Sequence, residues 1–269
     1  MSRPRKACAA KLGLLLFCAG GVLEISAQKV VSARAGLISF VQGAAFVDGT
    51  RVILRSTRFP QMNNGEALST SRGRAELLLA PGSVLRLAEN SQLRLDETLL
   101  SDTRVTIQRG DALIEIVQLP EGNRIQVALA DTTTDLTRPG LYRFGTALHT
   151  LRVYGGEAQV HSGLKKAPIR RGLTVDLDTR LNPSLTVTKF DRKQTDSLHA
   201  WAARRSFELF MSDPQARRRE THWQFVGGYA ANKNYGVEFR AFLRRTLPPA
   251  LPPSLPPIDS PGIPHADSP

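Results

Sequence analysis

The chain has 269 residues, enough for one or two domains, with 41% apolar and 22% charged residues, the profile of a globular protein with a packed core. Its two cysteines, Cys8 and Cys18, both fall in an N-terminal apolar segment, so the rest of the chain has no disulfide and no thiolate metal site. The formal net charge is +12, and residues 1–27 account for three of those charges, leaving +9 on a chain whose arginines are scattered singly between apolar residues. That pattern, on a chain read as exported, argues against nucleic acid as a partner and suits anionic envelope polymers or lipids, or simply a solvated basic surface.

In chain order, Arg3, Arg5, Lys6 and Lys11 precede the apolar run "LGLLLFCAGGVLEI", and "ISA" offers small residues for cleavage after Ala27. Residues 1–27 therefore read as a cleaved secretory signal, placing the protein in the periplasm or outside the cell. The rival reading is a retained anchor, but the run is shorter than the roughly 20 residues a span requires and is broken by Glu24. Cys18 follows Leu16 and Phe17, so it lacks the small preceding residue of a lipidation site.

From 35 to 178 the dominant signal is alternation with period two. "SVLRLAENSQLRLDE", "RAELLLAPGS", "RVTIQRGDALIEIV", "NRIQVAL" and "LYRFGTALHTLRVY" read as short half-buried strands between Gly, Pro, Asn and Asp turns, an all-β domain of the sandwich or roll type. Within it Gly-x-Ala-x-Val/Ile recurs at Gly43, Gly110 and Gly156. A glycine at a strand entrance tolerates a corner, and the residues two and four positions on share one face, so the repeat reads as architecture; chance recurrence is the competing reading.

The period changes near Phe190. Leu198, Trp201, Ala202, Arg205 and Leu209 share one helical face, which predicts an amphipathic helix over 190–212, capped by Asp191 or Thr195 and stopped before Pro214. Trp201 is expected to anchor that helix on the β domain, with ligand stacking as the alternative. Residues 213–245 read as a short β or loop extension in which Arg217, Arg218 and Arg219 form a basic run. Residues 246–269, with paired prolines, predict a disordered, polyproline-rich tail able to reach on the order of 70 Å at about 3.1 Å per residue.

No catalytic, cofactor-binding or metal-binding residue is predicted. His149, His161, His199, His222 and His265 are isolated from one another, and no HExxH, GxSxG or Walker-type loop is present. Asp131 and Asp135, around three threonines, are the one carboxylate pair that acid–base work could use, but turn hydrogen bonding accounts for them as well. His149 and Arg152 are expected on a strand with side chains on opposite faces.

The β region resembles the FecR-type domain of envelope signalling proteins. The resemblance lies in "GLISFVQGAAFVDG", "MNNGEALSTSRGRAELLLAPGSVLRLAENSQLRL", "VTIQRGDALIEI" and "GLYRFGTALHTLRVYGGEAQVHSG", about half the chain. Its most specific part is the spacing of Gly65, Leu68, Thr70, Ala75, Glu76, Leu77, Leu79, Gly82, Ser83, Leu85 and Leu87. Classical members of that family join the domain to a cytoplasmic portion through a membrane helix and resemble anti-sigma factors. Here the domain follows the signal segment directly, so the resemblance implies a stand-alone exported module that senses or binds another envelope protein. The basic surface leaves a second expectation, a hold on anionic polymers or lipid surfaces.

Overall fold

The computed structural model describes residues 34–55, 59–180 and 184–212. The predicted signal segment 1–27, the 213–245 extension and the proline-rich tail 246–269 lie outside the described residues. Within them the chain is all-β with one helix. The organising element is β3 (Ala67–Ala80), whose 14 residues form a spine. Strand β1 (Leu37–Val47) runs antiparallel along one side of it, from Leu37 opposite Leu78 to Val47 opposite Leu68, and turns into the short β2 (Thr50–Arg51).

Two arms grow from the other side of the spine. Its N-terminal residues pair with β5 (Gln92–Glu97), which leads through β6 (Thr103–Arg109), β8 (Ile125–Leu129), β9 (Thr132–Leu136) and β12 (Glu157–Ser162) to β13 (Lys165–Arg170). Its C-terminal residues pair with β4 (Ser83–Leu87), which leads through β7 (Asp111–Ile116), β10 (Gly140–Gly145), β11 (Thr150–Gly155) and β14 (Leu173–Asp176) to β15 (Val187–Lys189). The pairing of β6 with β8 is parallel, and the other strand pairings are antiparallel.

The arms share one core. Leu77, Leu85, Ile114, Tyr142, Phe144 and Val153 from one side cluster with Leu93, Leu95, Val105, Val127, Val160 and Ile169 from the other. Alternation along each strand turns these residues inward, so the two arms bury a common apolar layer as the sheet folds over on itself. The arms close through their outer ends. Arg171 and Gly172 carry the chain from β13 to β14, and beyond β14 the Thr179 amide donates to Asp131 at 2.9 Å.

The Gly-x-Ala-x-Val/Ile repeat marks the line of that fold. Gly43 sits at the bend of the β1–β3 ribbon opposite Gly73, Gly110 lies between β6 and β7, and Gly156 lies between β11 and β12. The last two are points where the chain leaves one arm for the other. All three have left-handed φ, 79°, 76° and 84°. A methyl group would come within 2.3 Å of the Arg72 carbonyl at Gly43, 2.1 Å of Ser91 Oγ at Gly110 and 2.2 Å of the Tyr142 hydroxyl at Gly156. Ala45, Ala112 and Ala158 follow each glycine into the core, with Ile114 and Val160 behind the last two. The repeat is therefore a corner motif, as its residue types imply.

Helix α1 (Ser197–Ser212) begins at Asp196, whose carboxylate accepts the His199 amide at 3.0 Å. The expected caps, Asp191 and Thr195, are not used there. Asp191 instead closes the preceding turn, accepting the Lys193 amide at 3.0 Å. The helix start therefore moves from 190 to 197, because Asp191 spends its carboxylate on a local turn. Leu198, Trp201 and Ala202 then pack on Leu113, Leu141 and Tyr154, on the outer face of the arm that starts at β4. Trp201 is the anchor expected of it, with its ring 6.3 Å from that of Phe40.

Candidate interaction surfaces

The outer face beneath α1 carries charge. Cross-strand register places Phe40, Glu76, Arg86, Leu113 and Arg143 side by side in one row across five strands. Glu76 and Arg86 are fully buried, with Arg86 Nε 2.9 Å from Glu76 Oε1 and its Nη1 2.6 Å from Glu115 Oε2. From the helix, Arg205 Nη2 donates to Glu76 Oε2 at 3.0 Å, and the Ser206 hydroxyl donates to Glu115. The Arg205 guanidinium also lies 3.8 Å from the centre of the Phe40 ring. At the start of the helix, Arg143 is clamped between Asp111 at 2.9 Å and Asp196 at 2.5 Å. Burial opposes its charge, yet the two carboxylates hold its pKa above the ordinary arginine value. The helix is thus sealed on by a matched set of ion pairs, and this face is already occupied.

The residues offered as catalytic candidates are separated by the fold. Asp131, in the turn before β9, accepts both the amide and the hydroxyl of Thr179. Burial pushes its pKa up, but these hydrogen bonds outweigh that and leave it below the usual carboxylate value. Asp135 stands on the outer face of β9 and gathers Arg124, Gln126 and His161, each at 3.0 Å. One aspartate closes the seam and the other organises a solvent-facing polar surface, so they form no shared site. The Asp135–His161 contact was not foreseen: the two residues are 26 positions apart, and only the β9–β12 register brings them together.

His149 departs from its expected place. It occupies the turn before β11 with φ 45° and leans towards Asp178, 3.7 Å away, while Arg152 alone is on the strand, over the Phe190 ring. The turn needs a left-handed residue, and period-two reading extends the strand one position too far. Arg180 hydrogen bonding lowers the Asp178 pKa to about 2. Among the described residues no group of three or more metal-ligating side chains comes together, and no helix is long and apolar enough to cross a membrane.

Among the described residues, two strand edges differ in what they could accept. The free edge of β13 is poorly suited to an added strand: Pro168 has no N–H, and Lys165, Lys166 and Arg170 flank it. The β1–β2 ribbon is different. Beside it runs a groove of about 690 Å³ lined by Val47, Arg51, Val52, Ile53, Phe59 and Pro60 among others. Ile53 is 65% exposed and Phe59 47%, so the groove presents two large apolar side chains to solvent. No strand among the described residues pairs with the outer side of β2.

No protein-family model matches the chain, and no curated protein matches it. Among solved structures it is similar to two crystal structures described as a "putative anti-sigma factor" from Parabacteroides distasonis. They share 15% and 14% identity with it at a TM-score of 0.40, and each match covers 46% of this chain and 60% of the other. The chain thus spans less than two thirds of those proteins.

Proposed function

We propose that the protein is a non-enzymatic, exported FecR-type module that binds another envelope protein. The observation that carries this reading is the groove beside β2, where exposed Ile53 and Phe59 flank a strand edge with room for an extended segment. Main-chain hydrogen bonds to the edge would supply affinity, and the two apolar side chains would supply selectivity. The signal-like N-terminus favours a periplasmic or extracellular setting.

The test is capture from an envelope extract by immobilised protein, at low and at high salt. A discrete protein retained at high salt and lost with Ile53→Asp or Phe59→Ser is expected. Unchanged capture by both variants would remove the groove from the proposal, and capture that vanishes with salt would remove the module reading itself.

A second reading, a hold on anionic polymers or lipid surfaces, is favoured by the distribution of charge. Residues 163–173 and 187–193 hold seven basic residues and one acidic. Both segments border the seam, where Leu173 pairs with Lys189 and the Phe190 amide donates to the Gly172 carbonyl at 3.2 Å.

A further inference from the structure

We propose that Arg171, in the corner between β13 and β14, and Arg192, just beyond β15 and packed over the neighbouring Gly172, form a binding site for a phosphate group carrying two negative charges. This deepens the second reading by naming the ligand chemistry and the residues.

The geometry begins with Gly172. Its φ of 86° is left-handed, and Arg192 packs over this corner, with Cδ and Nε both at an ordinary contact distance of 3.9 Å from where a Cβ would stand. The Gly172–Phe190 backbone hydrogen bond, 3.2 Å long, fixes the two segments against each other. Arg192 Nη1 is buried and has no hydrogen-bond partner among the described residues. A guanidinium donor withdrawn from water without an acceptor loses hydration and receives nothing in exchange.

The electrostatics agree. Burial lowers the Arg192 pKa below the ordinary arginine value, and the Arg171 charge lowers it further, while Asp191 opposes both. Arg171 is exposed, and neither guanidinium has an ion pair among the described residues. Arg170, next to Arg171 in the sequence, is engaged by Glu157 at 3.1 Å. Two neighbouring cations with no ion pair among the described residues, opposed only by the charge of Asp191, are relieved most by a ligand that concentrates two charges on one centre with several acceptor oxygens. A phosphate dianion has that form, and guanidinium forks match its oxygens in pairs.

Two sources share this chemistry, a soluble phosphate and a phosphomonoester lipid headgroup. The purified protein is titrated at pH 8 with inorganic phosphate while the arginine Nε–H resonances are followed. In parallel it is sedimented with phosphatidylcholine vesicles with and without phosphatidic acid. Saturable binding of at least one probe is expected, weakened roughly tenfold by Arg171→Gln with Arg192→Gln. It should persist with Arg34→Gln and Arg109→Gln, which remove the same charge from two other exposed arginines. Saturation by inorganic phosphate assigns a soluble source, and binding to the phosphatidic acid vesicles alone assigns the headgroup. Equal weakening by both pairs of substitutions, or no saturable binding of either probe, would overturn the site. Salt-sensitive retention of polyglutamate in that event would leave the second reading standing, and its absence would remove that too.

Discussion

Gly156 shows how one hydrogen atom in place of a methyl decides a corner. Its φ of 84° already disfavours a side chain, and the Tyr142 hydroxyl, 2.2 Å from the missing Cβ, is fixed by donation to the Arg138 carbonyl at 2.5 Å. Gly156→Ala must therefore pay for both dihedral strain and a displaced buried hydroxyl, about 2–4 kcal/mol together. Gly49 has a similar φ, 80°, but nothing within 4 Å, so Gly49→Ala should cost only about 1 kcal/mol. Urea denaturation of both variants checks this, and equal losses would refute the steric part. His199 supplies a pH signature at the same scale. Burial lowers its pKa to about 4 against the pull of Asp196, so it stays neutral in the folded protein where the unfolded chain, with a pKa near 6.5, is protonated. The unfolded state therefore binds more protons between those values. Stability is complete above about pH 6.5 and declines as pH falls towards 4, by on the order of 3 kcal/mol. In His199→Gln the slope of stability over pH 4–6.5 should flatten; a slope unchanged from that of the parent protein would assign it to other groups.

At the scale of elements, the α1 interface turns on Arg86. Its guanidinium is fully buried and serves two carboxylates, Glu76 and Glu115, each also held by a helix residue. Arg86→Met leaves those carboxylates facing each other with too little positive charge, a loss of about 3–5 kcal/mol. Replacing all three by apolar residues of similar size should recover most of it, because the desolvation of the whole set disappears with it. Thermal unfolding of the single and triple variants distinguishes the two, and a triple variant no better than Arg86→Met would show that the ion pairs themselves supply net stability. This network also marks where sequence reading stopped. The strands and glycine corners were legible, since period-two alternation and a required left-handed φ are local. Glu76, Arg86 and Glu115 alternate with core residues and so read as solvent-facing, because alternation identifies an outer face and cannot say whether something covers it. Arg205, a charge within the apolar stripe of α1, was the one local trace of what lies beneath. The pairing of β6 with β8 and the meeting of Asp135 with His161 had no trace at all, being set by register between distant segments.

For the whole molecule, the decisive question is which parts of the chain the fold depends on. The β core closes on itself through the β13–β14 corner, but the outer face of the β4 arm is not self-sufficient. Without 190–212 it would expose Leu113, Leu141 and Tyr154 together with the buried Glu76, Arg86 and Glu115. That apolar patch beside a partly unpaired ionic cluster favours both unfolding and association. Ending the chain before Phe190 should therefore lower the thermal midpoint by on the order of 10 °C and promote aggregation, since 1 kcal/mol corresponds to roughly 2–4 °C at this size. Ending it before Thr246 removes only the proline-rich tail, a composition that favours neither helix nor sheet, and should shift the midpoint by less than about 2 °C. Scanning calorimetry of the two truncations against the intact protein is the measurement. A large loss on removing 246–269 would make the tail part of the folded unit, and a negligible loss on removing everything from Phe190 would make α1 a detachable cover.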